Sequence, residues 1–205
     1  RDMLQQESEK HSAPLLIRKV KRLEETVHSL IKDELDVDIQ WAVKQINHLE
    51  LQSKQADPIE VNFLMAKVKR HEETVHTLTK EKLDVDIQWT VKQKNHLQLQ
   101  LNQADPTEVN FLIGQINTLD KKLISKQKMI IDLDINWTTK QKEMLLRSTI
   151  DELQRENETN EFEKELASLQ QKRQKCDTEY TEMLPPAPKK PKYQLGNSFL
   201  FLSQF

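Results

Sequence analysis

Paired histidines and paired aspartates are the side chains of this sequence that could bind a metal ion. His71 and His76 flank two glutamates but are five residues apart, whereas the helical zinc motif needs its histidines at i and i+4. Asp-x-Asp pairs occur as Asp36/Asp38, Asp84/Asp86 and Asp132/Asp134. On a helix, residues i and i+2 point to different sides, so we expect these carboxylates to be solvated. We predict no metal site and no cofactor.

Cys176 is the only cysteine of the chain. A catalytic thiol needs a neighbouring base, and no histidine follows His96 in the sequence. Cys176 lies at an apolar heptad position, where we expect a buried and unreactive thiol. The chain has only two glycines, which excludes the glycine-rich loops that bind nucleotide phosphates. We therefore predict that the protein is not an enzyme.

The charge of the chain is dense but nearly balanced, with 31% charged residues and a formal net charge of −2. Neutralising many phosphates requires a basic excess, so we do not expect the helices to bind nucleic acid. No apolar run approaches the roughly 18 residues of a membrane span, and no secretory signal is visible. These features predict an intracellular protein, in the cytoplasm or the nucleus.

The elements that carry these residues are tandem repeats of about 48 residues. Residues 19–66 and 67–114 are identical at 35 of 48 positions, and a weaker third copy begins at Gln115. Each copy starts or ends near an Asp-Pro pair, Asp57-Pro58 or Asp105-Pro106. Asp is a favourable N-cap, and Pro is favourable at the first helical position. We predict that new helices begin at Pro58 and Pro106.

Apolar residues recur at alternating steps of three and four in every repeat, as in a coiled-coil helix. We call this side of each helix the heptad face. In the first repeat it comprises Val20, Leu23, Val27, Leu30, Glu34, Val37, Trp41, Lys44, His48 and Leu51. In the second repeat it comprises Leu64, Val68, His71, Val75, Leu78, Lys82, Val85, Trp89, Lys92, His96 and Leu99. In the third repeat it comprises Leu112, Ile116, Leu119, Leu123, Lys126, Ile130, Leu133, Trp137, Lys140 and Met144.

A second face of the helix is also apolar. In the second repeat it comprises Leu83, Ile87, Val91, Leu97 and Leu101. A helix with two apolar faces usually contacts two neighbours, which favours a bundle. Segments 83–91 and 97–101 also alternate apolar and polar residues, as β-strands do. We prefer helix because the connector between them lacks glycine and proline and the heptad steps continue through it.

The repeat length constrains the architecture. A straight helix would rotate its faces by roughly 120° in 48 residues, so the Asp-Pro junctions must reset the phase. They could do so by folding back into an antiparallel bundle or by kinking an extended rod. We predict an all-α fold of long helices with coiled-coil-like heptad faces, either a helical bundle or a kinked rod.

Six segments follow from these patterns. They are an N-terminal lead-in (1–18), helical repeats (19–57, 58–105 and 106–155), a C-terminal coiled-coil helix (156–184), and a proline/lysine-rich linker with an apolar tail (185–205). The boundary at 156 rests on the polar run 156–160, which predicts a break or a hinge.

The centre of the heptad face supplies our candidate partner-binding residues, which are Trp41, Trp89, Trp137, Val85 and Leu78. A large aromatic residue at a repeated position usually packs and can set helix register, with a platform for stacking a ligand or a base as the alternative. If all three copies pack alike, the three rings are equivalent. The heptad face also contains charged residues, namely Glu34, Lys44, Lys82 and Lys92. They indicate either selection for one register or partner, or a poorly optimised helix.

Two short motifs lie in the tail. Lys189, Lys190 and Lys192 fit a minimal basic import signal. Pro185 and Pro188, followed by Lys190, have the spacing with which proline-rich ligands bind SH3 domains. The tail is therefore a candidate contact for an import receptor or an SH3-type domain, with a solvated linker as the alternative.

These observations favour a non-enzymatic structural or scaffold protein, for example of the cytoskeleton. It would associate with itself or with other proteins through coiled-coil helices. The alternative is a nuclear coiled-coil protein that associates with nucleic acid through its basic tail.

Overall fold

Long helices make up nearly all of the described chain. The computed structural model describes the backbone of residues 2–146 and 152–184 and the side chains of residues 15–146 and 154–184. The helices are α1 (Asp2–Ser53), α2 (Pro58–Leu101), α3 (Val109–Leu146) and α4 (Glu152–Glu182). No strand occurs within these described ranges, and the prediction of an all-α fold is confirmed.

The strand alternative for 83–91 and 97–101 is wrong, because both segments lie inside α2. Their alternation has another cause. Leu83 and Ile87 lie on the second face of α2, whereas Val85 and Trp89 lie on its heptad face. Because residues i and i+2 lie on nearly opposite sides of a helix, apolar residues at every second position fall alternately on these two faces, and a helix with two apolar faces shows the apolar–polar alternation of a strand.

α2 begins at Pro58, as predicted. Asp57 is its N-cap, and Asp57 Oδ1 accepts hydrogen bonds from the N–H groups of Ile59 and Glu60, both at 2.9 Å. These two N–H groups have no partner within the helix, so the carboxylate stabilises the first turn.

α3 begins at Val109, three residues later than the predicted start at Pro106. Asp105 accepts hydrogen bonds from both the N–H group and the hydroxyl of Thr107, and the N–H group of Glu108 lies farther away, at 3.3 Å. The threonine hydroxyl competes for the carboxylate that would otherwise cap the helix. The chain therefore forms a turn before the regular helix begins.

Each helix packs only against the helices next to it in the chain. Within the described residues, Cα atoms closer than 8 Å join α1 to α2, α2 to α3 and α3 to α4, and no other pair. Lys82 pairs with Asp36 and Lys92 pairs with Glu24, so α1 and α2 run antiparallel. Of the two predicted architectures, the fold-back one is observed, as an open helical bundle whose helices are joined in series.

The apolar contact between α1 and α2 joins the second face of α1 to the heptad face of α2. Leu49 of α1 forms a buried cluster with Leu64 and Val68 of α2. Leu35, at the α1 position equivalent to Leu83, is also buried. The heptad face of a helix therefore contacts the preceding helix, and its second face contacts the following one.

The heptad face of α1 is exposed along its length. Seven of its apolar side chains are between half and two thirds exposed: Val20 52%, Leu23 64%, Val27 54%, Leu30 61%, Val37 65%, Trp41 56% and Leu51 58%. Val68, the α2 residue equivalent to Val20, is only 3% exposed. The difference arises because α1 covers the heptad face of α2, whereas no described helix covers that of α1.

α4 continues without a break through residues 156–160, so the predicted hinge is wrong. The side-chain amide of Gln154 donates to Glu158 Oε1 at 2.9 Å, one turn farther along the helix. The run contains no glycine or proline, and a polar surface does not interrupt a helix by itself. α1 likewise begins at Asp2 and includes nearly all of the predicted lead-in.

The tail motifs, which comprise Pro185, Pro188, Lys189, Lys190 and Lys192, lie outside the described residues. Among the helices that the structure describes, none combines the length and the apolar character that crossing a membrane would require.

Candidate helix-docking site

Cross-helix ion pairs and ring contacts recur at two places, 48 residues apart in the sequence. At each place three side chains of one helix meet three side chains of the next helix. One set, which we call a His triplet, is Glu24, His28 and Lys32 of α1, and again Glu72, His76 and Lys80 of α2. The other set, which we call a Trp triplet, is Asp86, Trp89 and Lys92 of α2, and again Asp134, Trp137 and Lys140 of α3.

The spacing of the two sets explains why they can meet. A His triplet has its residues at i, i+4 and i+8, which places them in a row along one side of a helix. A Trp triplet uses i, i+3 and i+6, which also lie on one side. In an antiparallel pair the rows oppose each other in reverse order, so acid meets Lys, His meets Trp, and Lys meets Asp.

The first meeting lies between α1 and α2. The His28 ring stacks on Trp89, with ring centroids 5.1 Å apart and an interplanar angle of 14°. His28 Nε2 lies 3.2 Å from Asp86 Oδ1, and Lys32 Nζ lies 3.0 Å from the same oxygen. At the other end of the rows, the charged groups of Lys92 and Glu24 are 2.7 Å apart.

The second meeting, between α2 and α3, has nearly the same geometry. The His76 ring stacks on Trp137 at 5.0 Å and 17°. His76 Nε2 and Lys80 Nζ lie 3.3 Å and 2.9 Å from the carboxylate of Asp134. Lys140 pairs with Glu72, as Lys92 pairs with Glu24.

Asp86 connects three helices. Besides its two contacts with α1, its carboxylate lies 3.6 Å from Lys126 Nζ of α3. Lys126 Nζ also donates to the backbone oxygen of Asp86 at 3.2 Å and to Thr90 Oγ1 at 3.3 Å. Burial alone would raise the pKa of the Asp86 carboxyl. The hydrogen bond from Lys32 and the charges of Lys126, Lys32 and His28 have a larger, opposite effect, so the pKa lies below its ordinary value. The ionised carboxylate is therefore the stable form at this junction.

The pKa of the His76 imidazole is also shifted, and it lies below its ordinary value. Burial lowers the pKa of His76, and the charge of Lys80 lowers it too, which together outweigh the opposite effect of Asp134. The neutral imidazole is therefore favoured. The contact with Trp137 is accordingly a stack of two neutral rings with an adjacent hydrogen-bonding carboxylate.

The interface between α3 and α4 has different chemistry. Ile124 occupies the α3 position that is equivalent to His28 and His76, and α4 contains no tryptophan. Ion pairs hold this interface instead: Lys128 with Asp177, Lys142 with Glu163, and Arg173 with Asp132. Cys176 is buried here, and burial, followed by the charges of Glu179 and Asp177, raises the pKa of its thiol.

A third Trp triplet, which consists of Asp38, Trp41 and Lys44, lies on α1 without a His triplet against it. Trp41 is 56% exposed, and its ring contacts the His71 ring of α2 edge to face, with centroids 5.7 Å apart. Asp38 and Lys44 are exposed, and neither forms an ion pair with any residue in the described part of the chain.

The predicted site residues differ in how deeply they are buried and in what they contact. Trp89, Trp137, Val85 and Leu78 are all half-buried within the helical array. The three tryptophans do not pack alike, because Trp89 and Trp137 are half-buried and stacked on histidines whereas Trp41 is exposed. Of the charged residues of the heptad face, Lys82 and Lys92 form cross-helix ion pairs, and Glu34 and Lys44 are exposed on α1.

The sequence analysis missed the His triplets and misjudged two of the aspartates. The side chains of Asp86 and Asp134 are only 17% and 21% exposed, so the expectation that they are solvated is wrong. Asp84 is exposed, because residues i and i+2 of a helix face different surroundings. The available signal was the unchanged recurrence of Glu, His and Lys four residues apart in the first two repeats.

A groove of about 690 Å³ lies where α1, α2 and α3 approach one another. Its lining is mainly apolar and includes Val20, Trp89 and Leu119. Glu24 and Lys92 also line it, but their charged groups are paired with each other. The groove therefore offers an apolar surface rather than a set of catalytic groups.

No protein-family model, curated protein or solved structure matches this chain. The contacts between its helices are therefore the basis for inferring a function.

Proposed function

We propose that this chain is a non-enzymatic structural protein of the cytoplasm or the nucleus, which associates with other proteins through its helices. The observation that carries the proposal is the exposed heptad face of α1. Apolar side chains from Val20 to Leu51 form a row on this face. Burying an exposed Val or Leu side chain contributes about 1.5–3 kcal/mol, so a row of such residues favours association with a partner.

The outer side of α4, at the opposite end of the array, is polar, and this contrast with α1 supports the proposal. The side of α4 opposite the buried Leu169 and Cys176 carries Lys164, Gln171, Lys175 and Thr178, which are all polar and all exposed. In proteins built from stacked helices, a terminal element with a polar outer face ends the array. α4 has such a polar face, whereas α1 presents an apolar face of the kind that is covered in α2 and α3.

The charges on the α1 heptad face make the association selective. Glu34 and Lys44 are exposed on this face, and Asp38 is exposed beside it, next to Val37. A partner helix that covers these charges removes the water around them. If the partner carries no opposite charges, this loss is not compensated, so a partner with complementary charges binds better than one that is only apolar.

Affinity capture from cells, quantified by mass spectrometry, tests the proposal. The chain would be compared with the variant Val27→Glu/Val37→Glu, in which two exposed residues of the heptad face become charged. The matched control is Ile59→Glu/Phe111→Glu, because these apolar residues are also exposed but lie outside α1. Circular dichroism would verify that all three chains unfold at similar temperatures.

We expect proteins that the parent chain and the control both capture to be lost from the Val27→Glu/Val37→Glu variant. An identical captured set from all three chains would show that the heptad face of α1 binds no partner, and would contradict the proposal.

A further inference from the structure

We propose that the heptad face of α1 binds, in antiparallel orientation, a helix that carries a His triplet: an acidic residue, a histidine four residues later, and a lysine after four more. This inference deepens the proposed function and rests on it. It identifies the partner by its chemistry, through the third Trp triplet of the chain.

The two triplet meetings inside the molecule show what a Trp triplet binds. In the first meeting, each residue of the Trp triplet contacts one residue of the His triplet: Asp86 pairs with Lys32, Trp89 stacks on His28, and Lys92 pairs with Glu24. The second meeting reproduces this, one repeat farther along, with the stacked rings at almost the same distance and angle. Residues of the same types at the same spacing form the third Trp triplet, so the same three contacts are available on α1.

The environment of the third Trp triplet fits this partner. The Trp41 ring makes an edge-to-face contact with His71 and is not stacked on a histidine within the described residues, and Trp41 is 56% exposed. The carboxylate of Asp38 can accept hydrogen bonds from a histidine and a lysine. The ammonium group of Lys44 can pair with the acidic residue. A helix with the reverse charge order would place a lysine against Lys44, which disfavours that orientation.

A second folded copy of the chain does not supply this partner. The His triplets of α1 and α2 are both engaged, with Trp89 and Trp137 respectively. At the corresponding place in α3, Ile124 replaces the histidine and Lys128 pairs with Asp177 of α4. The occupant is therefore a His-triplet helix of a different protein chain.

The length of the surface fixes the size of the occupant. The apolar row runs from Val20 to Leu51, which corresponds to about 45–50 Å of helix at 1.5 Å per residue. A partner that covers the whole row is therefore a helix of about 30 residues. Its apolar face would follow the pattern of Leu35 and Leu49, which cover α2 in the same way.

A fluorescent synthetic peptide with the sequence of residues 19–53 tests the proposal against the full chain. The peptide contains Glu24, His28 and Lys32, and Val27 and Val37 would be changed to Gln to disable its own heptad face. Binding would be measured by fluorescence anisotropy. A second peptide with an i,i+4 lactam bridge on its outer side excludes a failure that is due only to poor helicity.

We expect saturable binding, weakened about tenfold or more by Trp41→Ala or Asp38→Lys in the chain, and unchanged by the control Phe111→Glu. The charge-reversed peptide Lys32→Asp should bind the Asp38→Lys chain better than the parent peptide does. Restored binding on reversing both charges would show that the triplet recognises the peptide, because nonspecific apolar binding does not depend on this charge pair.

Three results would overturn the proposal. The first is equal binding to the parent chain and to Trp41→Ala, which would place the peptide elsewhere, for example at Trp89. The second is dimerisation of the chain with loss of Trp41 exposure, which would make a second copy the occupant. The third is no peptide binding. If cellular partners still depend on Val27 and Val37, only the partner chemistry fails; if they do not, the proposed function fails as well.

Discussion

Replacing Trp89 or Trp41 by alanine tests whether a tryptophan stabilises the fold only where a preceding helix covers it. The two residues occupy equivalent positions in copies that are nearly identical in sequence. Trp89 is half-buried and stacked on His28, whereas Trp41 is 56% exposed. The change in helix propensity is the same at both sites, because each is Trp→Ala within a long helix.

The structure predicts that Trp89→Ala lowers the free energy of unfolding more than Trp41→Ala does. Trp89→Ala removes about 100–150 Å² of buried apolar surface, which at about 25 cal/mol per Å² is about 2.5–4 kcal/mol. The lost stack with His28 adds about 0.5–1.5 kcal/mol, and the better helix propensity of alanine returns about 0.5 kcal/mol. We therefore expect a loss of about 3–4 kcal/mol for Trp89→Ala. For Trp41→Ala we expect about 1 kcal/mol, since much of its contact is with its own helix.

Urea unfolding followed by circular dichroism at 222 nm measures both losses without relying on tryptophan fluorescence. Trp137→Ala serves as a third arm and should resemble Trp89→Ala, because its ring is stacked in the same way on His76. Equal losses for Trp41→Ala and Trp89→Ala would refute the reasoning, since they would require Trp41 to be covered as Trp89 is.

The remaining predictions concern the cap, a histidine and the tail. Asp57→Ala should lower the free energy of unfolding by about 1 kcal/mol, because two N–H groups of the first turn of α2 lose their acceptor; an unchanged urea midpoint would contradict this role. Burial lowers the pKa of His76 in the folded chain, so below about pH 6.5 the unfolded chain binds more protons and stability falls as the pH drops. His76→Gln should remove this part of the pH dependence between about pH 7 and 5, and a slope that persists would assign it to other groups. Removal of residues 185–205 should leave the melting temperature nearly unchanged, because a proline-rich segment cannot extend a helical interface; a large decrease would show that Phe199, Phe201 and Phe205 pack on the helices. Duplex DNA should show no salt-dependent submicromolar binding, and such binding would revive the nucleic-acid alternative.

The two-faced pattern of apolar residues was sufficient to predict that a helix has two neighbours. Leu83 and Trp89 lie on faces about 120° apart, and this spacing is a property of the helix alone. Periodicity does not tell which neighbour each face meets. That assignment depends on the direction in which the linkers at 54–57 and 102–108 return the chain.

The contacts of the His triplets could not be derived from local sequence. Lys32 and Asp86 are 54 residues apart, and they meet only because the linker and the heptad packing fix the register of α1 against α2. The exposure of Trp41 was also beyond local inference. Its sequence neighbours closely match those of Trp89, and the difference is that α1 packs on Trp89 whereas no described helix packs in the same way on Trp41.

The serial arrangement of the helices determines how the molecule would respond to tension. Within the described residues no Cα atoms of α1 and α3, or of α2 and α4, lie within 8 Å of each other, so separating one antiparallel pair leaves most contacts of the next pair in place. α2 has 44 residues and is about 66 Å long as a helix, but spans about 150 Å when fully extended. A pulled chain would therefore lengthen in discrete steps, one helix at a time, and each pair would re-form on its own when the force is released. Its length under load would then depend on how many of its helix pairs have separated.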